Sequence, residues 1–140
     1  MNYEELQQHI QYLELLEDSN SPIVNCYLGV ESFYRKTLNE QSRSITAGLP
    51  VEMRASFWEI LGHIEVFLGT NIAPGTKGVA CFARWGDRSF FLPLQFEVAF
   101  SNSIVIRPVP QIYPLIQLRD GMVCLAANPG GMAKANTLGF

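Results

Sequence analysis

Residues 78–96, GVACFARWGDRSFFLPLQF, turn the chain from helical spacing to a period of two. Gly78 to Ala83 is an almost unbroken apolar run, Trp85-Gly86-Asp87-Arg88 carries a Gly-Asp turn, and Phe90, Leu92, Leu94 and Phe96 alternate with Phe91, Pro93 and Gln95. Two such runs about a turn predict an antiparallel hairpin. Pro93 has no N–H to give a ladder, which places the second strand at an edge or a bulge.

Upstream, Met53, Phe57, Ile60, Leu61, Ile64, Phe67 and Leu68 form a broad helical stripe closed by Gly69. Before it, Gly48-Leu49-Pro50 is a sharp break, glycine closing one helix and proline opening the next. The helix that it closes spans residues 31–47, with Phe33, Tyr34, Leu38 and Ile45 at helical spacing. Helices joined by so short a break predict an αα-hairpin. Further upstream, Pro22 to Val30 is apolar on both faces, the pattern of a central strand, and residues 1–18 are an acidic amphipathic helix stopped before Pro22. Downstream, Ser103 to Arg107 is a short strand, Tyr113 to Leu118 one or two helical turns, and Gly121 to Ala127 a further strand ended by Asn128-Pro129-Gly130-Gly131. The last ten residues, GMAKANTLGF, have no periodicity and are expected to fray. Helices segregated from strands in this order predict the α+β class: a mostly antiparallel sheet of four to five strands, with the αα-hairpin and the amino-terminal helix packed on it.

Composition narrows the function classes. The chain has 140 residues, 10 basic against 13 acidic, for a net charge of −3. That balance argues against strong nucleic-acid binding by the chain alone, since such binders neutralise several phosphates with clustered cations. No apolar stretch is long enough for a membrane helix, and the amino terminus has neither signal-peptide nor transit-peptide character. Cys26, Cys81 and Cys124 are widely spaced in apolar runs, as buried thiols of a cytoplasmic protein would be. Charged residues make up 16%, against about 25% in an average domain. So ion-poor a surface is expected to be partly covered, by a second copy or by another domain.

Candidate chemistry is sparse. Gly69 to Lys77 resembles a phosphate-cradling loop, but five residues separate its glycines, Thr76 and Lys77 are in swapped order, and a helix precedes it where a strand is needed. It reads as an ordinary helix-to-strand loop. Glu59 and His63 stand four apart on one helical face, yet two ligands do not make a zinc site and His9 is the only other histidine. There is no GxSxG turn, and the strand cysteines sit where thiols are inert. No catalytic residue, metal or cofactor is therefore expected. Arg84 and Arg88 flank the hairpin turn beside Trp85, a residue type that anchors contacts when exposed at a tip.

Taken in order, Ile23 to Leu28, the long helix ending at Gly69, Ala73 to Phe82, Phe90 to Leu94, Asn102 to Ile106 and Tyr113 to Asp120 resemble the amino-terminal domain of the eukaryotic and archaeal class-one peptide-chain release factors, and most of all that family's uncharacterised bacterial relatives. The likeness spans about residues 22–127 and lies in the order and length of elements. It implies an α+β domain over residues 1–120 whose helical-hairpin tip, here Thr46-Ala47-Gly48-Leu49-Pro50, is the working surface. The family's Asn-Ile-Lys-Ser motif is absent from that tip, and its Tyr-x-Cys-x-x-x-Phe motif is absent where Val105, Arg107 and Gln111 stand. Its hydrolytic Gly-Gly-Gln has only Gly130-Gly131-Met132 beside it. Residues 121–140 then correspond to the first strand of a following domain plus a tail. The resemblance thus implies a non-catalytic binding module without decoding or hydrolytic residues. Its expected partner is the ribosome or another translation component, and its expected contacts are Thr46, Gly48, Leu49, Arg84, Trp85 and Arg88. The alternative is a self-associating, homodimeric domain.

Overall fold

A computed structural model describes residues 1–127. In chain order the elements are α1 (Tyr3–Glu14), β1 (Ile23–Gly29), α2 (Tyr34–Gly48), α3 (Val51–Thr70), β2 (Gly78–Arg84), β3 (Phe90–Phe96), β4 (Ser103–Arg107) and α4 (Tyr113–Ala127). They divide into two compact units, Asp18–Pro110 and the pairing of Met1–Glu17 with the segment from Gln111. The class is α+β, as the sequence predicts.

The larger unit holds a four-stranded antiparallel sheet in the order β3-β2-β1-β4. The apolar run of β1 is central and buried throughout, and β2 beside it is buried throughout as well. Both edges are guarded. Val30 N donates to Lys77 O at 2.9 Å and Gly29 N to Asn102 Oδ1 at 2.8 Å, so even residues of β1 bond β2 and odd residues bond β4. Carried through the register, this alternation turns Phe91, Pro93 and Gln95 away from β2. Pro93 therefore sits where its missing donor costs nothing, on an edge strand, one of the two placements the sequence allows. At the opposite edge Ile104 N donates to Gln41 Oε1 at 2.8 Å, and Arg107 Nη1 donates to Ile106 O at 2.9 Å. Both bonds occupy groups that would otherwise template another strand.

The αα-hairpin covers one face of the sheet. Leu38 of α2 and Phe57, Ile60, Ile64 and Phe67 of α3 cluster with Val24, Cys26, Leu28, Val79, Cys81, Ala83 and Ile104. On the other face Tyr27 meets Phe82 edge-on at 5.8 Å, and Phe100 reaches back from beyond β3 to Tyr27 at 5.1 Å and Phe96 at 5.3 Å. The loop after α3 is tied by Gln95: Ala73 N and Thr76 Oγ1 donate to its Oε1 at 2.7 and 2.9 Å, and its Nε2 donates to Asn71 O at 2.9 Å. Its polar groups are thus engaged with a neighbouring strand in a helix-to-strand connection.

In the smaller unit α1 begins with a reciprocal cap, Glu5 N donating to Asn2 Oδ1 at 2.8 Å and Asn2 Nδ2 to Glu5 Oε1 at 3.0 Å. Leu6, Ile10 and Leu13 are its buried stripe. α4 packs on α1, and Arg119 Nη1 donates to Gln7 Oε1 at 3.0 Å. Here the structure corrects the sequence reading: Gly121 to Ala127 is no strand but the continuation of α4. A short apolar run fits a buried strand and a buried helix equally well, and what decides is the helix already under way from Tyr113. The expected tail, with Gly130-Gly131-Met132, lies outside the described residues.

Candidate functional site

α2 turns Asn39, Ser42, Arg43, Thr46 and Ala47 to one side at helical spacing, and α3 turns Trp58, Leu61 and Glu65 to meet them. With Leu38 as the inner wall these residues line a groove of about 480 Å³ between the two helices. Trp58 is 55% exposed, and its Nε1 donates to Thr46 Oγ1 at 3.1 Å. Thr46 Oγ1 donates in turn to Ser42 O at 2.8 Å. Ser42 Oγ is buried and, among the described residues, has no hydrogen-bond partner. Of the three tip residues singled out from the sequence, Thr46 is a groove wall, Gly48 is an exposed helix end, and Leu49 turns inward onto the core. The groove residue that sequence reasoning passed over is Trp58. Its signal was present: it falls off the apolar stripe of its own helix, which is where a large aromatic remains exposed.

The second candidate region is the β2–β3 turn. Ser56, Glu59, Ile60 and His63 of α3 face Arg84, Trp85, Gly86, Ser89, Phe90 and Phe91 across an open cleft of about 400 Å³. The turn needs two left-handed residues, Gly86 at φ 75° and Arg88 at φ 56°, and Ser19 Oγ donates to Asp87 O at 3.0 Å. Trp85 is half-buried and packs on the core, so the expected exposed anchor is a wall of the cleft instead. Arg84 is only 4% exposed, its guanidinium carbon 5.8 Å from the Phe90 ring centre. Arg88 is exposed, 3.9 Å from its neighbour Asp87. Of the residues flagged in the sequence, Thr46 therefore lines one groove and Arg84 and Trp85 line another, both walled in part by α3, while Gly48, Leu49 and Arg88 line neither.

His63 Nε2 lies 3.9 Å from Glu59 Oε1, and its ring leans on Phe91 at 5.8 Å. Among the described residues no cluster of three or more His, Cys, Asp or Glu is placed to hold a metal ion. Cys26 and Cys81 are register partners in the sheet, both buried as free thiols. Burial pushes the Cys26 thiol up to about 12. Burial, and then the neighbouring Cys26, hold Cys81 well above the ordinary thiol range. Thiolate is the nucleophile, and at pH 8 its share at Cys26 is on the order of one in ten thousand. Iodoacetamide at pH 8 is therefore expected to leave Cys26 and Cys81 unmodified in the native protein and to label both in denaturant, read by peptide mass. Native labelling at either position contradicts this burial.

No helix among the described residues is long and apolar enough to cross a membrane. No protein-family model matches the chain, and no curated protein matches it either.

Proposed function

We propose that this chain is a non-catalytic binding module of the release-factor amino-terminal type that works in the cytoplasm on the ribosome or another translation component. The observation that carries the reading is the α2–α3 hairpin, which presents a groove and an exposed Trp58 on the element that does the binding work in the family the sequence resembles. The helix, strand, helix, helix, strand, strand, strand, helix order supports the same reading, since element order carries the resemblance. The groove sets one cation, Arg43, and one anion, Glu65, beside apolar walls and carries no net charge, and the tip lacks the charged motif that codon reading requires. The groove therefore suits a protein or folded-RNA surface already shaped to receive it, and the module brings no hydrolytic group of its own.

Co-sedimentation with ribosomes through a sucrose cushion tests this. The chain is expected to pellet at low salt and to remain partly bound at moderate salt, because apolar contacts are screened less than phosphate contacts. Trp58→Ala is expected to reduce the pelleted fraction several-fold, as loss of an exposed aromatic anchor does. Absence from the pellet at both salts overturns the proposal.

A further inference from the structure

The exposed side of α3 carries Glu52, Glu59, His63 and Glu65, but between them runs an apolar strip. Phe57, Ile60, Ile64 and Phe67 face the core, yet the other side carries Trp58 and Val66, 55% and 63% exposed, with Gly62 between them at four-residue spacing. Val51 at the start of the same helix is 73% exposed. The adjoining groove is charged in one particular way: a single cation, Arg43, on the α2 wall and a single anion, Glu65, on the α3 wall. Among the described residues neither is in an ion pair.

We propose that a second copy of this chain covers this face. The two αα-hairpins pack about a two-fold axis, Trp58 of each lies against the exposed Gly62–Val66 strip of the other, and Arg43 of each meets Glu65 of the other. A two-fold interface must complement itself, because whatever one wall offers meets the opposite wall of the partner. Opposite charges on the two walls of one groove satisfy that rule twice over. Covering Trp58 in place strands no donor, since its indole N–H is bonded to Thr46 of its own chain. The size is sufficient: two helices of 15 and 20 residues present roughly 500–600 Å² per copy, at the low end for a specific dimer. An interface this small belongs with weak, transient associations.

The test is sedimentation velocity with light scattering on the full chain from micromolar to several hundred micromolar. Wild type is expected to pass from monomer to dimer over that range. Arg43→Glu and Glu65→Arg, both exposed substitutions, each place like charges across the axis and are expected to weaken association about tenfold. Mixing the two variants restores opposite charges at both contacts and is expected to regain the dimer as a heterodimer. A monomer at every concentration overturns the proposal, and that is also the result if another protein's helix occupies the face. A dimer indifferent to both reversals, or not regained on mixing, overturns it too. The ribosome reading uses the same face, so the two occupants exclude one another and pelleting is read on dilute chain, where the monomer prevails: a chain that pellets there and never dimerises refutes the dimer alone, and one that dimerises when concentrated but does not pellet when dilute refutes only the ribosome reading.

Discussion

Phe57→Ala is expected to remove about 3–5 kcal/mol of stability, since deleting a buried phenyl loses its transfer energy and leaves a cavity. Phe57 is fully buried, among the largest such side chains in the chain, and stands in the one cluster that joins α3 to β1, β2 and β4. Against a total of about 5–15 kcal/mol, a loss of this size takes a large share of the fold. Urea melts followed by far-UV circular dichroism give the free energy, and the thermal midpoint is expected to fall by roughly 10–20 °C. Phe57→Leu, which refills most of the space, is expected to lose about 1 kcal/mol. A loss below about 1 kcal/mol for the alanine variant would mean that the hairpin is not seated on the sheet by this face. The neighbouring aromatic behaves oppositely. Trp58→Ala removes an exposed ring and one indole hydrogen bond, worth about 0.5–1.5 kcal/mol, yet it is the change that strips the binding face. Two consecutive aromatics on α3 thus separate stability from association.

That separation was only half legible in the sequence. The core half was plain, because Phe57, Ile60, Ile64 and Phe67 repeat at helical spacing, and a long amphipathic stripe is the most readable pattern a chain carries. Pro22 to Val30 named the central strand, Gly48-Leu49-Pro50 the hairpin break, and Pro93 the sheet edge, each through a backbone constraint that does not depend on the rest of the fold. Where no such constraint acts, the reading failed. Val123 and Cys124 are poor helix formers, Gly121 weakens a helix further, and yet α4 runs through Ala127. Propensity differences there are a fraction of a kcal/mol per residue, which a helix already nucleated around Pro114 and bonded to α1 through Arg119 overrides.

The candidate site was legible in position more than in composition. The hairpin break located the tip at Thr46 to Pro50, but whether a tip residue faces out is decided by packing. Leu49 turns inward and Thr46 is held between Ser42 and Trp58. Arg84 shows the same limit from the other side. Its place next to the hairpin turn suggested a surface cation, whereas strand pairing continues to Ile23 on one side and Phe90 on the other and draws it inside. Groove walls from two helices meet only in three dimensions, so the pairing of Arg43 with Glu65 across a groove had no signature along the chain.

Gly78→Ala is expected to cost about 3 kcal/mol or more, the upper range for forcing extra volume into a packed site. Gly78 pairs with Gly29 across β1 and β2, and this glycine pair is where the chain leaving β3 crosses the sheet. A Cβ on Gly78 would collide with the carbonyl oxygen of Val98 and stand 2.9 Å from Phe100 Cδ2, and one on Gly29 would stand 3.0 Å from Phe100 O. Two of these three obstacles are backbone, so no rotamer change relieves them. The crossing must lift, and lifting it withdraws Phe100 from Tyr27 and Phe96. The near-UV dichroism of that aromatic cluster is therefore expected to weaken along with the urea midpoint. Gly62→Ala is the matched control. Its Cβ meets nothing within 4 Å in the middle of α3, and relieving glycine's helix penalty is expected to add about 0.5–1 kcal/mol. Identical chemistry then moves stability in opposite directions at two positions, and equal effects at both would mean that residues 98–100 do not lie over the glycine pair.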